Sequence, residues 1–394
     1  MPTEATFLLA GLFIIAAATG WAFARFSDLK RDEAPPAPVS SDYLRGLNLV
    51  LNRQTDEALE LFVRMAKVDE DTLETHFALG HLFRRRGEVD RAIRVHQNLL
   101  ARPSLNEAQR HQALFSLAQD YLSAGLFDRA EKLFGELRSS STRGEAALRN
   151  LVDIYVRQSD WSKAIEVHRA LETLTGVQST EVAHYYCELA EQARLEGDLE
   201  LARKHLRSSV RSATGAFRSS LIRAAIAQEE QDYAAAIRLY EQLLKTDRRL
   251  MVEILPELVV CYRATGREQA LERYLNALIE KDPVVKHAVA YAAILSELTA
   301  PRIIGRCVEE FILNDAVLSA FVDADHFAAL SAPARQAAIQ RITGGLRRLA
   351  MSSARYRCTN CGYSTQRLVW RCPSCKSWES VRPIQKFQFE GPAP

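Results

Sequence analysis

Apolar residues follow two different patterns along this chain. Residues 5–24 carry no charge at all, and at 1.5 Å of rise per helical residue a run of that length spans about 30 Å, the hydrocarbon thickness of a bilayer. From residue 42 onward apolar positions recur at helical spacing instead, as in Leu114, Leu117, Ala118 and Tyr121 followed by Ala130, Leu133, Phe134 and Leu137. Such spacing predicts amphipathic helices that bury one face and wet the other. The helices come in pairs, and the pairs repeat. Gly46 and Gly80, Ala58 and Ala92, Phe62 and His96, Tyr121 and Tyr155, Ala130 and Ala164, Ala202 and Ala236, and Ala236 and Ala270 are each 34 residues apart. Two steps, Ala92 to Ala130 and Ala164 to Ala202, are 38, as if four residues were inserted in a turn.

Turn tokens divide each repeat at its middle: Gly87-Glu88-Val89-Asp90, Gly125-Leu126-Phe127-Asp128, Ser159-Asp160-Trp161, Gly197-Asp198-Leu199 and Gln231-Asp232-Tyr233. A glycine or Asx residue there ends one helix and starts the next. Period and tokens together resemble the tetratricopeptide repeat, in seven repeats over roughly residues 39–282. The signature tryptophan of the first helix is missing throughout, and His96 and His168 stand where the second helix expects an aromatic ring; both are expected to pack half-buried in that slot. Beyond Asp282-Pro283 the period blurs, and residues 288–298, 303–313, 317–330 and 334–351 read as four further helices: degenerate repeats and the cap that a solenoid needs to hide its last apolar face. In such an array first helices line the inner groove, which predicts Arg84, Arg85, Arg149, Asp153, Arg157, Glu191 and Arg194 as partner-facing residues.

Near the C-terminus Cys358, Cys361, Cys372 and Cys375 are spaced C-x2-C-x10-C-x2-C. Two thiolate pairs close on one ion and complete the tetrahedral sulfur set that zinc prefers. Gly362 permits a left-handed turn after one pair and Pro373 stiffens the other, so both read as rubredoxin-like knuckles. A module of about 30 residues buries too little to fold alone, and a metal contributing roughly 10–16 kcal/mol supplies the difference. One structural zinc is expected; four thiolates accept iron as well. The other cysteines, Cys187, Cys261 and Cys307, sit singly on helical faces and read as small buried hydrophobes. Tyr356, Tyr363, Trp370 and Trp378 give the module more apolar surface than it can hide, which predicts that it docks on the repeats.

Charge then orients the chain. Arg25, Lys30 and Arg31 follow the uncharged run, whereas Glu4 precedes it, so the positive-inside rule places the bulk of the chain in the cytoplasm and the N-terminus in the periplasm. Ala22-Phe23-Ala24 imitates a signal-peptide cleavage site, but the basic residues that normally open such a peptide are missing. A thiolate metal site also belongs in a reducing compartment. A net charge of +2 excludes a surface basic enough overall to coat nucleic acid. Locally, Arg355, Arg357, Arg367, Arg371, Lys376 and Arg382 surround the cysteines against the single acid Glu379, so a membrane-tethered nucleic-acid-binding ribbon is a second reading and a generic envelope scaffold a third. No Gly-rich phosphate loop, paired-histidine metal motif or nucleophile elbow occurs, and four thiolates leave a metal no open position. No enzyme is expected.

The expected fold is all-α: a tetratricopeptide-repeat superhelical solenoid with a small C-terminal rubredoxin-like four-cysteine metal ribbon and one N-terminal transmembrane helix. The divisions are a transmembrane helix at 5–26, a proline-rich linker at 27–41, seven repeats at 42–282, degenerate repeats and capping helix at 283–353, the ribbon at 354–384 and a tail at 385–394. This order, with Tyr356-x-Cys-x2-Cys-Gly-Tyr363 and Trp370-Arg371-Cys-Pro-x-Cys-x2-Trp378 in the ribbon, resembles the lipopolysaccharide assembly protein B family of Gram-negative bacteria over essentially the whole chain. The resemblance implies an inner-membrane, cytoplasm-facing adaptor that helps the membrane AAA+ protease FtsH degrade the UDP-3-acyl-N-acetylglucosamine deacetylase committing precursor to lipid A. It further implies association with lipopolysaccharide-synthesis enzymes, restraint by a membrane regulator, and Cys358, Cys361, Cys372 and Cys375 as metal ligands. Nucleic acid is not an expected partner, and homodimerisation is left open.

Overall fold

The computed structural model describes residues 17–21, 41–52, 54–68, 73–213, 217–315, 317–320 and 322–384. Residues 17–21 are helical; the rest of the membrane helix expected at 5–26, the linker up to residue 40 and the tail at 385–394 lie outside the described residues. Among the described residues no helix is long and apolar enough to cross a membrane.

The chain divides into two compact units, Met1–Ala147 and Leu148–Pro394. Among the described residues from 41 onward the first contains three helix pairs: α1 (Ser41–Leu51) with α2 (Thr55–Val68), α3 (Leu73–Arg85) with α4 (Val89–Leu100), and α5 (Glu107–Ser123) with α6 (Phe127–Glu136). Helix α7 (Gly144–Gln158) opens the second, which continues through α8 (Trp161–Thr175), α9 (Glu181–Leu195), α10 (Leu199–Ser212), α11 (Phe217–Glu229), α12 (Tyr233–Thr246), α13 (Met251–Ala264), α14 (Glu268–Lys281), α15 (Val285–Ser296), α16 (Arg302–Asn314), α17 (Ala324–Ala329) and α18 (Ala332–Ser352). Among the described residues three short strands follow, β1 (Tyr356–Cys358), β2 (Ser364–Thr365) and β3 (Val381–Pro383), in an antiparallel sheet of order β2-β1-β3. The fold is a mostly helical tetratricopeptide solenoid followed by a four-cysteine ribbon.

The repeat signature has a direct physical cause. Ala58, Ala92, Ala130, Ala164, Ala202 and Ala236 are all fully buried, because only a methyl group fits where paired helices cross closely. The seventh member slips: Ala270 is half-buried and Leu271 takes the core position. At the mid-repeat turns Gly87, Gly125 and Gly197, and also Ser159 and Gln231, have positive φ, which ends each first helix in the left-handed conformation of a C-cap. Asp160, Asp198 and Asp232 then accept hydrogen bonds from the backbone N–H of Lys163, Leu201 and Ala235, at 2.9–3.1 Å, and so start the second helix.

The histidine slots are drier than expected. His96 is fully buried and His168 nearly so. A Cβ added at Gly80 would stand 2.5 Å from the His96 ring, and one at Gly46 would stand 2.6 Å from Phe62, so in both repeats the absent side chain of the first helix makes room for the ring of the second. Cys187, Cys261 and Cys307 are buried. The segment 317–330 does not form the single helix expected of it. It breaks into a 3-10 turn, Leu318–Ala320, and the short α17, because Asp323 accepts from the N–H groups of Asp325 and His326 and starts a new helix there.

Candidate metal centre

Strand β1 carries Cys358 into the ribbon's small core, and the turn after it brings Cys361 back over the same point, with Gly362 at φ 79°. Gly362 N–H donates to the Cys358 carbonyl, and at the second knuckle Lys376 N–H donates to the Cys372 carbonyl. The knuckles are related in form, but the second takes its left-handed residue at Lys376, φ 62°, rather than at a glycine. Cys358 Sγ lies 3.7 Å from Cys375 Sγ, and Cys361 Sγ 3.6 Å from Cys372 Sγ; all four sulfurs fall within 4.8 Å of one another. A tetrahedral set with metal–sulfur bonds of about 2.3 Å separates its sulfurs by about 3.8 Å. The donor set therefore fits a tetrahedral thiophilic ion, and among the described residues no other cluster of histidine, cysteine and acidic side chains could hold one.

The sulfurs are surrounded by donors. Ser380 Oγ lies 3.3 Å from Cys358 Sγ, the Asn360 backbone N–H donates to Cys358 Sγ at 3.4 Å, and Ser377 Oγ lies 3.4 Å from Cys375 Sγ. The Ser380 contact lowers the Cys358 thiol, and the Ser377 hydroxyl and backbone bring Cys375 down to about 5. Two of the four sulfurs are thus eased toward the thiolate that metal capture requires, whereas burial raises Cys372 to about 11.

The ribbon is seated on the repeats of the second compact unit. Trp378 stacks on His184, ring centroids 4.9 Å apart and planes within 9°, and presents its edge to Tyr185 and Trp161. Trp370 packs on Phe217 at 5.3 Å, beneath the Arg218 guanidinium, and Arg218 is itself held by Glu188 at 2.8 Å. The Tyr356 hydroxyl donates to Glu253 on α13. The Arg382 guanidinium lies over the Phe217 ring, 4.7 Å from its centroid. Tyr363, expected at this face, is 39% exposed instead: it belongs to the first knuckle, where its carbonyl accepts from Cys358 N–H.

The seven residues expected to face a partner are distributed unevenly. Asp153 meets the ribbon, 3.3 Å from Lys376 Nζ and 3.5 Å from an Arg371 nitrogen, with Arg157 at 2.7 Å on its own helix. Burial would raise this carboxyl; Arg157 and Lys376 outweigh it and hold it below the usual range. Arg194 is clamped between Glu191 and Glu229. Arg84 is bound to the buried Asp120. Arg85 and Arg149 are exposed. A cleft of about 280 Å³ between ribbon and repeats is lined by Arg149, Val152, Asp153, Lys376 and Trp378. The ribbon's cations are thus partly used internally: Arg371 and Lys376 on Asp153, Arg382 on Phe217, Arg355 over Tyr356. That consumes much of the basic surface on which a nucleic-acid reading depended. Sequence reasoning missed His184, Phe217, Arg218 and Glu253; the aromatic run His184-Tyr185-Tyr186 on an otherwise amphipathic helix was the one visible hint.

Burial beneath Trp378, with repulsion from Arg218 second, lowers His184 to about 4. Glu379 stands 3.8 Å away, too far for a hydrogen bond, and burial raises its own carboxyl against the pull of Arg382 and Arg218. An undocked His184 takes its proton near the ordinary value of 6.5, so the docked state holds fewer protons between about pH 4 and 6.5. The His184 contribution is fully present above that window and is lost as pH falls through it, by at most about 2 kcal/mol at pH 5, part of which the raised Glu379 carboxyl returns with the opposite sign. Hydrogen exchange across 356–384 is therefore expected to be up to roughly 30-fold faster at pH 5 than at pH 7.5 after correction for intrinsic rates. The His184→Phe variant, which keeps a ring under Trp378, should lose most of this step. An equal step in both would assign it to acid attack on the thiolates instead.

Comparison with known proteins agrees with this architecture. A family described as rubredoxin metal binding domain matches residues 356–383, and two tetratricopeptide repeat families match 75–109 and 115–176. Lipopolysaccharide assembly protein B of Escherichia coli (strain K12) is 33% identical over 381 residues, 96% of this chain and 98% of that protein. The protein of the same name from Haemophilus influenzae is 32% identical over 394 aligned residues, again 96% and 98%. Among solved structures, the C-terminal part of a TPR repeat-containing protein from Cytophaga hutchinsonii is 14% identical, covers 66% of this chain and 97% of that one, and superimposes with a TM-score of 0.40; this adds nothing to the assignment. On the full-length relationship alone, the chain belongs to the lipopolysaccharide assembly protein B family.

Proposed function

We propose that this protein is an inner-membrane-anchored, cytoplasm-facing adaptor in lipopolysaccharide assembly, which presents the lipid A-committing deacetylase to the membrane protease FtsH and so limits entry into the pathway. The observation that carries this reading is the relationship to lipopolysaccharide assembly protein B across 96% of the chain. The architecture supports it: tetratricopeptide repeats recognise segments of other proteins, and the uncharged run at 5–24 is long enough for an anchor. Tethering a substrate-binding repeat array beside a membrane protease raises local substrate concentration toward roughly millimolar without any bond-breaking by the adaptor.

In this reading Cys358, Cys361, Cys372 and Cys375 hold one structural zinc, and the ion supplies folding free energy to the ribbon. Seated by Trp370 and Trp378, the ribbon fixes α9 and α11 against each other, and Arg149, Asp153 and Arg157 beside it remain candidates for partner contact. In cells lacking the protein the deacetylase should persist several-fold longer after translation is blocked, and the full-length chain should restore rapid turnover. A variant beginning at residue 42 should restore much less, because it has lost the anchor. An unchanged half-life in the absence of the protein would remove the adaptor reading while leaving the family assignment intact.

A further inference from the structure

A second concave surface lies on the side of the repeats formed by α10, α11 and α12. From Leu201 to Gln228 the chain contains no acidic residue, yet it contains Arg203, Lys204, Arg207, Arg211, Arg218 and Arg223. Arg203, Arg207 and Arg211 fall at i, i+4 and i+8, one stripe of α10, about 6 Å apart along its axis; like charges so placed destabilise a helix. Arg203 is compensated by Glu200 and Glu230. Arg211 sits in the last turn, where the helix dipole favours a cation. Arg207 and, across the cleft on α11, Arg223 are exposed and have no acidic partner among the described residues. Together these arginines rim a cavity of about 600 Å³. Its floor is apolar, made by Leu206 and Ile226, both almost fully buried, with Val210 and Leu239 at the sides. The acids at its edge are engaged, Glu230 with Arg203 and Asp232 as the cap of α12.

We propose that this cleft is a docking site for an acidic helical segment of a partner protein, one that carries carboxylates a helical turn apart and an apolar side chain between them. The arginine stripe matches the i, i+4 spacing of such a helix, guanidinium groups pair with carboxylates in a bidentate fork, and the floor takes the apolar side chain. A lipid surface fits less well: Leu206 and Ile226 lie at the bottom of the cleft rather than protruding, so a bilayer that touched the arginines would leave the floor uncovered. The site is separate from the ribbon and from the residues expected to line the first helices.

The test uses the full-length protein in nanodiscs of phosphatidylcholine and a fluorescein-labelled helical peptide with glutamates at i, i+4 and i+8 and leucines at i+3 and i+7. Anisotropy should report saturable, salt-sensitive binding, and the peptide with glutamine at those positions should stay near background. Arg207→Glu with Arg223→Glu should weaken binding at least 30-fold, and the milder Arg207→Gln with Arg223→Gln about tenfold, with unchanged helical melting in the second pair to guard against misfolding. No binding up to about 100 μM, or equal affinity in parent and variants, overturns the proposal. So does protection of α11 from hydrogen exchange by phosphatidylglycerol nanodiscs with the peptide indifferent to either substitution, which would hand the arginines to lipid headgroups.

Discussion

Replacing Cys372 and Cys375 by serine is expected to unfold the ribbon completely and to release it from the repeats. The buried centre of the module consists of Tyr356, Cys358, Cys372 and Val381: half of its core is made of the sulfur-bearing residues themselves. Nothing else in 354–384 can replace a metal worth roughly 10–16 kcal/mol. Once the module opens, Trp378 leaves His184, Trp370 leaves Phe217, and Arg218 keeps only Glu188. The fluorescence signature should be specific, because Trp161, Trp370 and Trp378, three of the chain's four tryptophans, lie at this contact. The expected result is loss of one equivalent of bound metal, a red shift of emission and rapid proteolysis within 354–384, while far-ultraviolet helical signal falls only slightly. A strong chelator should do the same to the parent. If the double variant binds no metal yet keeps its ribbon protected, the metal is not what folds the module. Under the proposed adaptor role, deacetylase turnover should fall as the ribbon undocks, since the repeats beside Asp153 and His184 lose their cover.

Much of this architecture was legible in the sequence, for identifiable reasons. A period survives in sequence whenever the same packing problem recurs, so the buried alanines and the mid-repeat turns could be read one residue at a time; Asp160, Asp198 and Asp232 cap their helices in one manner. Cysteine spacing was equally direct, because two knuckles closing on one ion fix it. The ribbon's seat was legible from one side only. Trp370 and Trp378 announced a surface too apolar for a small module, but Phe217, Arg218 and Glu253 meet it from elements more than a hundred residues away in the chain, and a contact made once has no period. The break at 317–330 was hidden for a related reason: a cap by Asp323 is local, and no repeat marks it.

Asp120→Ala should be the most damaging single substitution in the first compact unit, at about 3–5 kcal/mol. Asp120 is fully buried on α5 and serves two other helices at once: Arg84 of α3 donates to Oδ1 at 2.6 Å, and His96 of α4 donates from Nδ1 to Oδ2 at 2.5 Å. Arg84 also reaches the Ser116 carbonyl and Gln119 Oε1, so its guanidinium is committed to this spot. Removing the carboxylate leaves a cation and a fully enclosed ring without their acceptor, which is far worse than never having buried them. The repeat itself supplies the control. One period on, the positions of Arg84, His96 and Asp120 are Leu122, Phe134 and Ile154, all apolar, with Leu122 half-buried and the other two fully buried. Arg84→Leu, His96→Phe and Asp120→Ile combined therefore rebuild the neighbouring repeat's apolar solution, and Gly80 leaves space for the new ring as Gly46 does for Phe62. Urea denaturation followed by hydrogen exchange over 73–123 should show the single variant opening first and the triple variant at least as stable as the parent. A loss under about 1 kcal/mol for Asp120→Ala would mean that these three side chains are solvated in the working protein, and that His96 fills its slot as a ring and nothing more.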